Sequence, residues 1–381
     1  MDFKLNKEQE DIIKAARDFA LGEFSERAVE FDREETFDLN IWKKACELGF
    51  VGVFIEEEYG GAGYGFFEHC LITEEFWAVD PGIGSCISST TFGSELIQLY
   101  GTDDQKRTIL PQLVSGQAIM ATAITEPDAG SDTAAAVTQA VKEGDQWVIN
   151  GSKTFITNGT VAKYILVYVL TNPEDSSRHG RHGFILVTKD TPGYESNKLK
   201  GKLGIRATDT AELSFSDVRV PLSNLIGKEG EGFHELMTFF NKTRLHVCAQ
   251  GVGLGRAALE ESIKYAKKRR QFGAPLSSFQ SIQFKIAEMA TRVRAARNLY
   301  YEAAWLVDNG VLDHGLIAMA KWFAGETAVK CADEALQIHG GYGYFDEYRV
   351  QRLYRDAKIL EIYEGTKEIE KIIVARSLLG G

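Results

Sequence analysis

The chain is poor in the residues that build metal sites and disulfide frameworks. Its 381 residues include five cysteines, Cys46, Cys70, Cys86, Cys248 and Cys331, widely scattered and without a CxxC pair. The seven histidines form neither HxxxH nor HExxH. Zinc and iron–sulfur ligation depend on such spacings, so no metal is expected, and the cysteines read as buried free thiols in a reducing compartment. A surplus of positive charge is lacking too: 43 Lys and Arg against 54 Asp and Glu leave a net charge of −11. Nucleic-acid binders need a cationic surface to neutralise phosphates, so no nucleic-acid partner is expected. A single positive pocket for a phosphate-bearing ligand stays compatible with that charge. No apolar run reaches 18 residues, and no membrane span is expected. Met1-Asp2-Phe3-Lys4-Leu5-Asn6 has neither the basic start and apolar run of a signal peptide nor the Arg- and Ser-rich character of a transit peptide. A cytoplasmic, prokaryotic protein is the expectation.

What is present is an ordinary globular composition, 44% hydrophobic and 25% charged, in a chain too long for one core. Three regions differ in period. Residues 1–120 read as helical: Asn6 and Gln9 form a capping-box pattern, Ile12, Ile13, Ala16, Phe19 and Ala20 follow at helical spacing, and Leu39–Leu48, Phe66–Ala78, Ser94–Leu99 and Gln105–Leu113 continue it. Residues 121–229 carry short β-prone runs (Ala121–Thr125, Gln146–Ile149, Lys153–Thr157, Tyr164–Leu170, Gly183–Thr188, Ala211–Val218) separated by turn residues, as in an antiparallel sheet or barrel. Asn150-Gly151 has the composition of a hairpin turn. Residues 230–381 return to the helical period, with an apolar stripe from Leu316 through Ala320, Ala324, Ala328, Cys331 and Ala335 to Ile338. That stripe has a thin polar face, so its helix needs neighbours on more than one side.

Five segments carry residues suited to chemistry. Ile124-Thr125-Glu126-Pro127-Asp128-Ala129-Gly130-Ser131 is a kinked loop rich in small residues and hydroxyls, which allows backbone N–H groups close to a ligand; a simple capped turn has the same composition. Phe155 and Thr157 alternate and so share one strand face, suited to a flat polar ring or to core packing. Lys267-Lys268-Arg269-Arg270-Gln271-Phe272-Gly273 ends a helix, where cations are favourable in any case, and a loop follows to Gln280. Gln337-Ile338-His339-Gly340-Gly341 ends the apolar helix, where glycines are ordinary caps or admit a phosphate. Tyr363-Glu364-Gly365-Thr366 opens the last helix; Glu364 alone is one of 54 acidic residues.

In this order and spacing the five segments resemble the acyl-CoA dehydrogenase family. Tyr59-Gly60-Gly61, Gly204-Ile205-Arg206, Asp209-Thr210 and Tyr354-Arg355-Asp356-Ala357 extend the resemblance over essentially the whole chain. It implies an α+β fold: an N-terminal helical domain, a central antiparallel β-barrel or sheet domain and a C-terminal four-helix bundle, assembled as a homotetramer or homodimer. It implies FAD as cofactor, lined by Ile124, Thr125, Gly130 and Ser131, stacked on Phe155 and hydrogen-bonded near N5 by Thr157. Arg269, Gln271, Phe272, Gln280, Gln337, Gly340 and Gly341 resemble the segments that grip the FAD of a neighbouring subunit, and Thr366 and Glu368 the pair at its phosphates. Glu368 stands where many relatives carry Gln. Phe240, Asn241, Arg244 and Ser131 correspond to CoA-binding positions.

The activity implied is α,β-dehydrogenation of an acyl-CoA. Glu364 takes the α-proton and its backbone N–H helps hold the thioester oxygen, while hydride leaves Cβ for flavin N5 and the electrons pass to an electron-transfer flavoprotein. An acyl-CoA oxidase and a non-catalytic flavin- or CoA-binding scaffold are the alternatives. Ser88, Phe92, Val247, Tyr363 and Gly365 fall at substrate-facing positions. Phe92, where smaller aliphatics are frequent, implies a short, branched or alicyclic acyl group. No Arg or Lys lies between Asp80 and Glu95, which disfavours a dicarboxylic tail.

Overall fold

The computed structural model describes residues 4–380. Helices fill the first third of the chain: α1 (Lys7–Phe24), α2 (Ala28–Glu34), α3 (Leu39–Glu47), α4 (Phe66–Val79), α5 (Pro81–Ser88), α6 (Ser94–Tyr100) and α7 (Asp103–Val114). The capping box at α1 forms as its sequence suggests: Gln9 N donates to Asn6 Oδ1 at 2.8 Å, and Asn6 N to Gln9 Oε1 at 3.0 Å. Nearly every residue of α4 is buried, including the paired Glu74 and Glu75, as fits its place between α1 and the later helices.

The sheet region holds β1 (Met120–Ala123), β2 (Gln139–Glu143), β3 (Gln146–Thr157), β4 (Tyr164–Leu170), β5 (His182–Thr188), β6 (Tyr194–Lys198), β7 (Thr210–Pro221) and β8 (Leu225–Ile226). They form one sheet in the order β6-β7-β3-β2-β4-β5-β8, with β1 pairing β4. It is mainly antiparallel. The exceptions are β1, parallel to β4 from Met120↔Tyr164 to Ala123↔Val167, and a single parallel pairing of β2 with β4. Asn150-Gly151 departs from expectation: it lies inside β3 as a bulge against β7, and the tight turn between β2 and β3 falls at Gly144. Cross-strand bonds hold the bulge, with Asp217 N donating to Asn150 Oδ1 at 2.9 Å and Asn150 Nδ2 to Asp217 Oδ1 at 3.1 Å. At Gly151 (φ 145°) a Cβ would stand 2.6 Å from Thr138 Oγ1, so close strand approach requires the glycine there.

Beyond the sheet come α8 (Gly232–Lys268), a short hairpin of β9 (Arg270–Gln271) and β10 (Ala274–Pro275), α9 (Gln280–Asp308), α10 (His314–His339), α11 (Val350–Ala357) and α12 (Lys367–Leu379). The stripe on α10 is met from several sides, by α8, α9, α11 and α12. Its small residues, among them Ala320, Ala324, Ala328 and Ala335, are fully buried and let the helices pack closely. All five cysteines are buried free thiols. No helix of the described residues is long and apolar enough to cross a membrane.

Candidate active site

The segment between α11 and α12 makes a sharp corner at Glu364. Its φ is 56°, in the left-handed region that non-glycine residues rarely adopt, and Gly365 follows at 99°. Such a backbone costs on the order of 1–3 kcal/mol and persists only where its surroundings enforce it. Those surroundings are on α8 and α10. Thr243 Oγ1 donates to Glu364 Oε2 at 2.6 Å, Arg244 Nε to Glu364 O at 3.3 Å, and Lys321 Nζ to Gly365 O. Thr366 caps α12 by accepting from Ile369 N at 3.4 Å, which fixes the far side of the corner.

Burial raises the proton affinity of Glu364, and the Thr243 hydroxyl, Arg244 and Lys321 oppose it; the net direction is up. The side chain is nonetheless only part-buried, so a ligand can reach it. A partly accessible carboxylate with raised proton affinity suits a base working near neutrality.

A run of contacts joins this corner to the other segments. Tyr363 OH donates to Gln250 Oε1, and Gln250 Nε2 lies 2.8 Å from His246 Nε2. The His246 ring is 2.9 Å from His69 Nε2 and 3.5 Å from Ser88 Oγ, which also donates to Gly84 O at 2.8 Å. Next to Ser88, Ser89 O accepts from Asn158 Nδ2 at 2.9 Å, tying the end of α5 to the end of β3. Thr154 N donates to Thr125 O at 2.9 Å, which sets the 124–131 loop beside Phe155. Underneath, buried Lys153 donates to Glu126 Oε1 at 2.8 Å and to Ile124 O at 2.9 Å, and Glu126 accepts from Val137 N and Thr138 N. The structure thus connects Glu364, Tyr363, Ser88, Thr125 and Phe155 from distant parts of the chain.

The remaining expected positions lie in several different surroundings. Phe92 and Phe240 pack against the cluster containing Ile124 and Phe239, the rings of Phe92 and Phe239 meeting edge-on at 5.0 Å. Val247 is buried one turn beyond Thr243. Asn241 and Arg244 are buried and already engaged: Asn241 Nδ2 donates to Met237 O at 2.9 Å and its Oδ1 lies 3.0 Å from His314 Nδ1. Arg244 turns to the Glu364 corner and to Glu370. Arg269, Gln271, Gly340 and Gly341 line a different cavity of about 710 Å³, with Tyr265, His339 and Tyr342. Phe272 projects beside it, 96% exposed at φ 50°, and Gln280, Gln337 and Glu368 are exposed.

Comparison with known proteins settles the family. The acyl-CoA dehydrogenase N-terminal domain matches residues 6–117, the middle domain 121–218 and the C-terminal domain 230–379. The chain belongs to the acyl-CoA dehydrogenase family. It is 43% identical to an acyl-CoA dehydrogenase of Bacillus subtilis (strain 168), covering 99% of both chains. Butyryl-CoA dehydrogenase from Megasphaera elsdenii superposes with a TM-score of 0.96 at 38% identity over the whole of both chains. A structure described as the electron transferring flavoprotein of Acidaminococcus fermentans contains a chain matching at 0.97 and 39%, again over full length.

As an acyl-CoA dehydrogenase the protein is an FAD-dependent oxidoreductase acting on CH–CH bonds. Its surface fits that cofactor. Phe155 is 69% exposed at φ 60° between buried Thr154 and Ile156, an arrangement with no folding benefit and suited to stacking on a ring. Part-exposed Thr125 and Thr157 flank it, and at Gly130 a Cβ would meet nothing within 4 Å.

Sequence reasoning missed Thr243, His69, His246, Gln250, Lys321 and Glu370. Thr243, His246, Val247 and Gln250 recur at helical spacing on α8, so that face was readable as one surface; nothing local marks Lys321 or Glu370.

Proposed function

We propose that this acyl-CoA dehydrogenase converts a short, branched or alicyclic acyl-CoA to its 2-enoyl-CoA, with Glu364 as the base that removes the α-proton. The observation carrying this reading is the Glu364 corner: a strained, part-buried carboxylate with raised proton affinity, held by Thr243, Arg244 and Lys321. FAD, when bound, would supply the hydride acceptor for this step. Thr125, Gly130, Ser131, Phe155 and Thr157 would hold its ring system, and Thr366 its phosphates. The Glu364 backbone N–H donates to the thioester oxygen as negative charge builds there, a contact worth roughly 3–4 kcal/mol when preorganised.

Phe92, held edge-on by Phe239, shortens the space for the acyl tail. The cavity at Arg269, Gln271, Gly340 and Gly341, with exposed Phe272, Tyr344 and Phe345 nearby in sequence, supports an assembly in which each subunit completes its neighbour's FAD site, as a homotetramer. Electron-transfer flavoprotein is the proposed acceptor, in keeping with the full-length match to a structure of that system.

The test is anaerobic titration of the purified holoenzyme with straight, branched and alicyclic acyl-CoAs, following loss of the flavin absorbance. Bleaching by short or cyclic substrates and not by long chains is expected. Glu364→Gln should bind FAD and fail to bleach. Bleaching by that variant at the wild-type rate places the base elsewhere.

A further inference from the structure

Glu370 presents an unresolved charge directly beneath the Glu364 corner. It lies one turn into α12 and is fully buried. Neither carboxylate oxygen has a hydrogen-bond partner. Arg244 Nε stands 3.0 Å from Glu370 Oε1, but its N–H is directed at Glu364 O, so the contact is ionic. Native proteins rarely leave a buried carboxylate without a donor, and such a group calls for an explanation. Space for it comes from Gly365: a Cβ there would sit 2.3 Å from Glu370 Oε1.

We propose that Glu370 is a positioning residue for the base, acting through Arg244 and Lys321. These two cations hold the carbonyls of Glu364 and Gly365, and Glu370 is the buried anion that keeps both of them there. Its negative charge also offsets theirs, so the base does not face two uncompensated cations. Burial pushes Glu370 up to about 7 and Lys321 down to about 8, which marks how finely this group is balanced. The groups facing Glu370 and Lys321 are Arg244 and Cys248 on α8 and Glu364 on the loop, while Tyr363 and, on α6, Glu95 face Glu364 itself. The inference rests on Glu364 being the base.

Charge signs give the test. Glu370→Gln removes an anion of nearly the same shape, which lowers the proton affinity of Glu364. The acid limb of the pH profile for flavin bleaching by butyryl-CoA should then move down by roughly half a unit to one unit. Lys321→Met removes a cation and should move the limb up. FAD content and KM measured alongside separate loss of the site from loss of tuning. Opposite shifts of the two variants, with FAD retained, support the proposal. Unchanged limbs, or shifts of the same sign, overturn it and leave Glu370 as a packing residue. Should Glu370→Gln not fold, Lys321→Met decides alone, an unmoved limb overturning the proposal. Failure of the base assignment is read separately, since Glu364→Gln would then still bleach.

Discussion

Replacing Thr243 by valine removes one hydroxyl and keeps the shape of a side chain that is 1% exposed. The loss is a 2.6 Å hydrogen bond to Glu364 Oε2. A donor to a carboxylate favours its charged form, so without it the proton affinity of Glu364, already raised by burial, rises further. Hydrogen bonds to charged groups are worth about 1.5–3 kcal/mol, or roughly one to two pH units. Glu364 is part-exposed and solvent replaces some of that interaction, so a rise of roughly one unit is expected. Activity requires the deprotonated base, and the acid limb of kcat/KM therefore moves to higher pH. At a fixed pH below the limb the variant is about tenfold slower, and well above it the rates converge. Stopped-flow flavin reduction across pH 5 to 9 measures this, with Thr243→Ser restoring the wild-type limb. An unmoved limb, or one displaced downward, would refute the assignment of Glu364 as the titrating base.

Two further outcomes follow from buried charge. Lys153→Met leaves Glu126 buried without its cation and frees Ile124 O, so unfolding free energy in urea should fall by roughly 3–5 kcal/mol and FAD should bind more weakly; wild-type values of both would show that the pair does not brace the 124–131 loop. Glu95 is 4% exposed, with Gly93 N its donor at 3.1 Å, and burial pushes it up to about 7. A folded value above the unfolded one gives stability that is complete below about pH 4.5 and lost as pH rises through about 7. Glu95→Gln should therefore gain on the wild type by up to about 3 kcal/mol between pH 4.5 and 8, read from thermal melts; a pH-independent gap would contradict it.

Much of the fold was legible because its signals are local. The Asn6–Gln9 cap, the apolar stripe of α10 and the run Tyr164–Leu170 are patterns within one element, and each formed where it was read. Strands β2 and β6 were not legible. In Gln139–Glu143 only Ala140 is buried, and Tyr194-Glu195-Ser196-Asn197-Lys198 is polar after its first residue, so pairing with β3 and β7 makes them strands. Asn150-Gly151 misled for the related reason that Asp217, 67 residues on, overrides its turn chemistry. The site motifs were legible as a family pattern, but the partners of Glu364 were not. Thr243 is 121 residues away, and Lys321 is 44 from Gly365, distances at which no spacing rule operates.

Those missing partners explain how a glutamate, indistinguishable in sequence from its acidic neighbours, comes to have the raised proton affinity that the proposed base requires. Burial alone raises the proton affinity of its carboxyl, and donors and cations alone would lower it, leaving a carboxylate too weak to take a proton from carbon. Glu364 has both, the desolvating environment on one side and Thr243, Arg244 and Lys321 on the other. The cations lower the proton affinity by their charge, and the same two side chains bond the backbone carbonyls of Glu364 and Gly365, the contacts that enforce the left-handed corner. Orientation and proton affinity are therefore set by one group of atoms, and a substitution that loosens the corner must also change the proton affinity of Glu364.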